Sequence, residues 1–94
     1  MTFIYPAVFS PKKDGKGYHV EFPDLACCEA DGPDLEDALE NASDAAYNWI
    51  WSELEEEDCE IPAASPMDEL EQKLKEGEFI RNIMVRIKLL PDND

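Results

Sequence analysis

The side chains best suited to chemistry in this sequence are one histidine, His19, and three cysteines, Cys27, Cys28 and Cys59. Zinc sites and thiol enzymes use these residue types. The spacing supports neither use, because adjacent cysteines in a strand point to opposite faces and are poorly placed to share one tetrahedral ion. A nucleophilic cysteine also needs an electropositive setting, which a strongly acidic chain does not provide. We therefore expect no metal and no cofactor.

The same residues have ordinary structural interpretations. Cysteine is often buried, so we expect Cys28 in the core and Cys27 at the surface. Strand alternation places His19 on a polar face beside Glu21, half-exposed to solvent. An enzyme hypothesis would rest on His19 and the cysteines alone.

Carboxylates are the most abundant candidates for acid–base or metal chemistry, with 23 Asp and Glu residues among 94. A two-metal nuclease needs carboxylates that converge from adjacent rigid elements on ions about 4 Å apart. The first predicted strand, residues 2–10, contains no acid, and neither do residues 79–90 of the last. We therefore expect no catalytic residue and no enzyme activity.

The net charge indicates which partners the chain attracts. Eight Lys and Arg residues against 23 acids give a formal charge of -15. This charge repels nucleic-acid phosphates and anionic lipids and attracts basic partners, so we expect no direct contact with nucleic acid or membrane. The odd number of cysteines and the lack of an export signal or an apolar span of about 20 residues favour the cytoplasm.

The first half of the chain predicts an antiparallel meander. Alternating β-favouring residues indicate a first strand with apolar side chains on both faces, and Pro6 places part of it near an edge or bulge. Gly15 and Gly17 supply turn chemistry before a strand from Tyr18 to Phe22. Residues 27–31 form the next short strand.

A long helix follows the meander. Asp34 is well placed as an N-cap, and acids in the first turn suit the positive end of the helix dipole. An apolar stripe at helical spacing continues to about Leu54. Its members are Leu35, Leu39, Ala42, Ala46, Trp49, Ile50 and Leu54.

The rest of the chain completes a single predicted domain, residues 1–94. We expect a loop or arm at 57–66, a short helix at 67–76 and a last strand at 78–90. The fold class is α+β, a two-layer β-β-β-α-β sandwich. The helix covers one sheet face, and the other is left partly apolar by Ile4, Val8 and Ile80 or Met84, which predicts self-association or partner contact.

Tyr47 and Trp51 lie off the core stripe of the helix, and Trp51 is expected to face outward among carboxylates. An exposed Trp with negative charge suits the binding of a basic protein. The alternative interpretation is that Trp51 packs under the arm at 61–66 or against a second copy of the chain. The predicted partner-binding residues are Glu40, Asp44, Tyr47, Trp51 and Glu55.

Several segments carry a family resemblance. GYHVEFPDL at 17–25, GPDLEDALENA at 32–42, YPAVF at 5–9 and IPAAS at 61–65 resemble the HicB-like antitoxin family. The match covers most of the chain. It departs from the family at Ala26-Cys27-Cys28, where relatives have Pro-Gly-Cys, and it lacks the C-terminal DNA-binding segment of many relatives, so we expect no operator binding of its own.

The resemblance implies a fold similar to a trimmed ribonuclease H and an antitoxin that occludes HicA, a small basic mRNA-cleaving toxin. It implies no enzyme activity, and we expect a homodimer or higher homo-oligomer. The alternative is a stand-alone homo-oligomeric binding domain of the same family with no toxin partner.

Overall fold

The chain forms one four-stranded antiparallel sheet with helices, which confirms the α+β class. The computed structural model describes residues 1–13 and 15–87. The strands lie side by side in the order β3-β2-β1-β4. The elements in chain order are β1 Thr2–Pro11, β2 Tyr18–Glu21, β3 Glu29–Gly32, α1 Leu35–Leu54, α2 Met67–Glu71 and β4 Phe79–Arg86.

Strand β1 lies inside the sheet and has two different faces. Tyr5, Ala7 and Phe9 are buried on the face that α1 covers. Pro6 pairs with Asn82 of β4, whereas pairing with β2 begins only at Val8. The proline therefore lies where β1 has a single hydrogen-bonded neighbour, as its lack of an N–H favours.

The sheet face away from α1 carries apolar side chains at its β4 edge, as predicted. Ile4 lies opposite Met84 and Val8 lies opposite Ile80 in the register of β1 and β4. Ile4 is 49% exposed and Met84 is 52% exposed. The exposed pair of Ile4 and Met84 is called the apolar edge below.

Helix α1 packs on the sheet through small residues. Asp34 caps it by accepting a hydrogen bond from the backbone N–H of Asp37 at 2.8 Å. The fully buried positions recur every four residues, and the larger members of the predicted stripe flank them, half-buried. These fully buried residues are Ala38, Ala42, Ala46 and Ile50.

The end of β3 touches the first turn of α1 backbone to backbone. A Cβ atom on Gly32 would lie 2.3 Å from the backbone nitrogen of Ala38. No side chain fits at that distance, so glycine is required here for close packing.

The turn between β2 and β3 contains a strained residue. Phe22 donates its N–H to the Cys28 carbonyl at 3.1 Å, and Leu25 donates to Phe22 at 3.2 Å. Cys27 has a φ of 62°, in the left-handed region that favours glycine. Cys27 is exposed and Cys28 is buried, which confirms both predictions.

The segment between α1 and α2 is an irregular arm that two sets of hydrogen bonds hold in place. Residues 59–66 have no regular secondary structure, and the arm is anchored where Tyr5 donates its hydroxyl to the Pro62 carbonyl. Ser65 adds a second anchor by donating its N–H and hydroxyl to the Asp24 carboxylate, at 2.9 and 2.5 Å.

The predicted helix at 67–76 was too long, because α2 ends at Glu71. Pro66 gives it no side-chain cap, and a helix this short gains few hydrogen bonds for the cost of nucleation. The chain continues through Leu70-to-Lys73 and Glu71-to-Leu74 turns, in which each carbonyl accepts from the N–H three residues on. The last strand begins at Phe79 rather than at 78, and its predicted end at 88–90 lies outside the described residues.

Replacing Gly32 with Ala should destabilise the fold by about 1–3 kcal/mol, because the new methyl group forces α1 away from the sheet. Chemical denaturation measures the change. Asn48→Ala on the exposed side of α1 is the control and should stay within about 0.5 kcal/mol. Equal stability of Gly32→Ala and the parent chain would contradict the close contact.

Replacing Cys27 with Gly should stabilise the protein by about 0.5–1 kcal/mol, because glycine adopts a left-handed φ without the steric cost that cysteine bears. Cys59→Gly, at an exposed cysteine without positive φ, should give no gain. Thermal unfolding of both variants under reducing conditions tests this. A loss of stability in Cys27→Gly would show that the turn does not strain this residue.

Candidate partner-binding surface

The predicted partner-binding residues lie on one exposed face of α1, which the C-cap residue Glu55 extends. Successive members are spaced by three or four residues, on the side of the helix opposite the buried alanines. We refer to this surface as the acidic-aromatic column. It consists of Glu40, Asp44, Tyr47, Trp51 and Glu55, all of them exposed.

Two aromatic rings stack at the centre of the column. The centroids of Tyr47 and Trp51 are 6.3 Å apart and their planes differ by 4°. Tyr47 is 41% exposed and Trp51 is 37% exposed. The i, i+4 spacing brings the two rings together, and both remain partly exposed to solvent. Trp51 thus faces outward as predicted.

The column ends in a run of carboxylates at the C-terminus of α1. Glu55, Glu56, Glu57 and Asp58 follow one another, and with Ser52 they line a shallow, open depression. The last helical turn contains no basic residue. Carboxylates at the negative end of a helix dipole repel it, so this end of α1 favours a cation.

A second polar cluster lies on the opposite side of the molecule, on the sheet face away from α1. His19 Nε2 lies 3.0 Å from Glu29 Oε1 and 3.3 Å from Glu21 Oε1. Its Nδ1 lies 3.5 Å from Asp31 Oδ2, and Lys12 Nζ lies 3.3 Å from the same oxygen. His19 is half-exposed beside Glu21 as predicted, but the two carboxylates of β3 were not predicted.

Charge around the imidazole shifts two pKa values. Partial burial opposes protonation of His19, but hydrogen bonds to Asp31, Glu29 and Glu21 outweigh it, so the pKa of His19 is raised. The Lys12 hydrogen bond, assisted by His19, lowers the pKa of Asp31 against a weaker effect of desolvation. The cluster therefore favours a protonated imidazole and an ionised Asp31.

The salt bridges of the described residues involve none of the three cysteines. Burial, with a smaller contribution from Glu29, raises the pKa of the Cys28 thiol, which disfavours the reactive thiolate. Within residues 1–13 and 15–87, the one group of side chains close enough to share a metal ion is His19, Glu21 and Glu29, and it includes no cysteine. None of the helices in these ranges is long and apolar enough to span a bilayer.

The sequence matches a known protein family over most of its length. Residues 5–92 match the model of the HicB_like antitoxin of bacterial toxin-antitoxin systems. The chain belongs to the HicB-like antitoxin family. A search of curated protein sequences gives no match for this HicB-like chain.

Solved structures agree with this assignment. The N-terminal domain of the Burkholderia pseudomallei antitoxin HicB has a TM-score of 0.74 at 23% identity, over 93% of this chain and 100% of that one. A longer chain of the same antitoxin matches with a TM-score of 0.74 at 24% identity over 93% of this chain, which spans 64% of that one. A chain of a toxin-antitoxin complex from Streptococcus pneumoniae matches with a TM-score of 0.64 at 26% identity, over 92% of this chain and 70% of that one.

The raised pKa of His19 predicts a pH dependence of stability. Because the folded pKa exceeds the unfolded value of about 6.5, protonated His19 stabilises the fold fully below pH of about 6.5, and this contribution is lost as pH rises through the folded pKa. NMR titration of the single imidazole should give a pKa above the unfolded value, and His19→Gln should remove this part of the pH dependence. Glu29→Gln should lower the pKa of His19. A pKa at or below the unfolded value would contradict the geometry.

Proposed function

We propose that this HicB-like protein is the antitoxin of a HicAB-type toxin-antitoxin system. In this proposal it binds a small basic, mRNA-cleaving toxin of the HicA kind in the cytoplasm and blocks the surface with which the toxin binds RNA. The observation that carries the proposal is the family match over residues 5–92. The likeness to a chain of a bacterial toxin-antitoxin complex supports it. The protein acts by binding, without catalysis of its own.

The charge of the chain suits this partner. A formal charge of -15 produces a long-range attraction for a basic protein, which speeds association, and repels RNA. Carboxylates that occupy the phosphate-binding positions of a ribonuclease exclude its substrate by direct competition. We expect no contact of the antitoxin itself with nucleic acid or membrane.

We place the toxin on the acidic-aromatic column. The stacked Tyr47 and Trp51 rings offer an exposed, preorganised apolar anchor of the kind that concentrates binding energy at interfaces. Asp44 lies one turn before the stack and Glu55 one turn after it, so an arginine or lysine of the partner can contact a ring face and a carboxylate together. The carboxylates at the end of α1 extend this negative surface.

A second candidate function is a stand-alone homo-oligomeric binding domain without a toxin. The apolar edge favours this function, because Ile4 of β1 and Met84 of β4 are about half-exposed. Strand β4 lies at one end of the sheet and pairs only with β1 among the described strands. Such a surface suits contact between copies of the chain. Self-association through this edge is also compatible with toxin binding on α1, because the sheet separates the two surfaces.

Combined replacement of Tyr47 and Trp51 by Ala should weaken binding of the cognate toxin by more than about 10-fold, because it removes the aromatic anchor. Calorimetric titration measures the affinity, and cleavage of a reporter mRNA measures neutralisation. The matched control is Ile4→Thr with Met84→Thr on the opposite face, which should leave toxin affinity unchanged and reduce self-association in light scattering.

The outcomes separate the surface from the function. If the parent chain in excess leaves the ribonuclease fully active, the antitoxin function is wrong. If the parent chain neutralises the toxin and only the apolar-edge variant loses affinity, the function stands and the acidic-aromatic column is the wrong surface.

A further inference from the structure

The cluster around His19 has the donor set and spacing of a metal site. One imidazole nitrogen and two carboxylate oxygens, from His19, Glu21 and Glu29, all lie within 4.8 Å of one another. The distances from Nε2 to the two carboxylates are 3.3 and 3.0 Å. Ligands bound to Zn²⁺ at about 2.0–2.1 Å in a tetrahedron are about 3.3–3.4 Å apart, so two edges of this triangle already approach the required size.

We propose that the outer face of β2 and β3 binds a divalent transition-metal ion, of which Zn²⁺ is the reference case, through His19 Nε2 and the carboxylates of Glu21 and Glu29. Water completes the coordination. Mixed imidazole and carboxylate donors suit Zn²⁺ and neighbouring transition ions, whereas Mg²⁺ and Ca²⁺ prefer sets of oxygen alone. The site lies across the sheet from the acidic-aromatic column and is separate from the proposed function.

The other ring nitrogen of His19 has the partner that metal-bound histidines usually have. Nδ1 faces Asp31 Oδ2 at 3.5 Å, which favours a proton on Nδ1. The metal ion would displace the proton of Nε2, the nitrogen that faces Glu21 and Glu29. Asp31 is in turn held by Lys12 at 3.3 Å. Asp31 and Lys12 thereby orient the imidazole through its Nδ1 side, independently of the two metal-binding carboxylates.

The sheet register gives a physical reason for a cation at this place. Glu21 pairs directly with Glu29 across β2 and β3. Like charges at directly opposed positions destabilise a strand pair. Their side chains are 63% and 55% exposed, so they can rotate to close on an ion. Protonated His19 offsets part of this repulsion, and a bound divalent cation would offset more of it and join β2 to β3, an edge strand of the sheet.

The test is titration of Zn²⁺ into the full chain with Cys27 and Cys59 replaced by Ser, so that exposed thiols do not compete; Cys28 is buried. Because His19 is the single histidine, nitrogen NMR of its ring reports the site directly. We expect saturable binding of one ion, a shift of the Nε2 resonance, and a proton retained on Nδ1. Resonances that do not move at millimolar Zn²⁺ would overturn the proposal.

Variants with equal charge changes separate a built site from general attraction of cations. Glu29→Gln should lower Zn²⁺ affinity by at least about 10-fold, and Asp31→Asn should lower it by about 10-fold or more. Glu69→Gln on the exposed side of α2 is the control and should leave affinity unchanged. Equal losses in Glu29→Gln and Glu69→Gln would show that the ion binds the net charge alone and would overturn the proposal. Amide spectra verify that each variant is folded.

Discussion

The close approach of α1 to the sheet is the constraint on which the other features depend. The alanines at 38, 42 and 46 and the absence of a side chain at Gly32 let the helix backbone lie almost on the strands. A helix held this close buries only a narrow stripe, so its opposite face must remain in water. The same contact commits one sheet face to the core and leaves the other face uncovered. The exposed face of α1 and the uncovered face of the sheet therefore both follow from the small residues at the contact between helix and sheet.

Much of the fold follows from patterns that the sequence shows openly. The Asp34 cap, the helical stripe and the alternation of β1 and β4 depend on local chemistry, and they predicted the elements and the outward direction of Trp51. The length of α2 was not predictable in the same way, because a short helix depends on contacts that sequence periodicity does not report. Among the site residues, exposure on one helix face followed from spacing alone, whereas the stacking of Tyr47 on Trp51 required side-chain positions.

The partners of His19 were missed for a different reason. Alternation places His19 on the polar face, but finding Glu29 and Asp31 requires the register between β2 and β3, which is set by the turn that joins them. That turn includes a cysteine in a left-handed conformation, where glycine would have been the recognisable signal. The turn therefore gave no recognisable signal of the strand pairing. Family membership adds the general role of the chain and does not supply these contacts.

The acidic C-terminus of α1 makes folding and partner binding respond oppositely to dissolved ions. In the free chain, the carboxylates from Glu55 to Asp58 repel each other and the negative end of the helix, so mobile cations that gather there stabilise the helix. In the proposed complex, a basic partner would replace those cations with fixed charges and return them to solution. The proposed partner would therefore act as the counterion that α1 lacks, and a higher ionic strength would leave less of that stabilisation for the partner to supply.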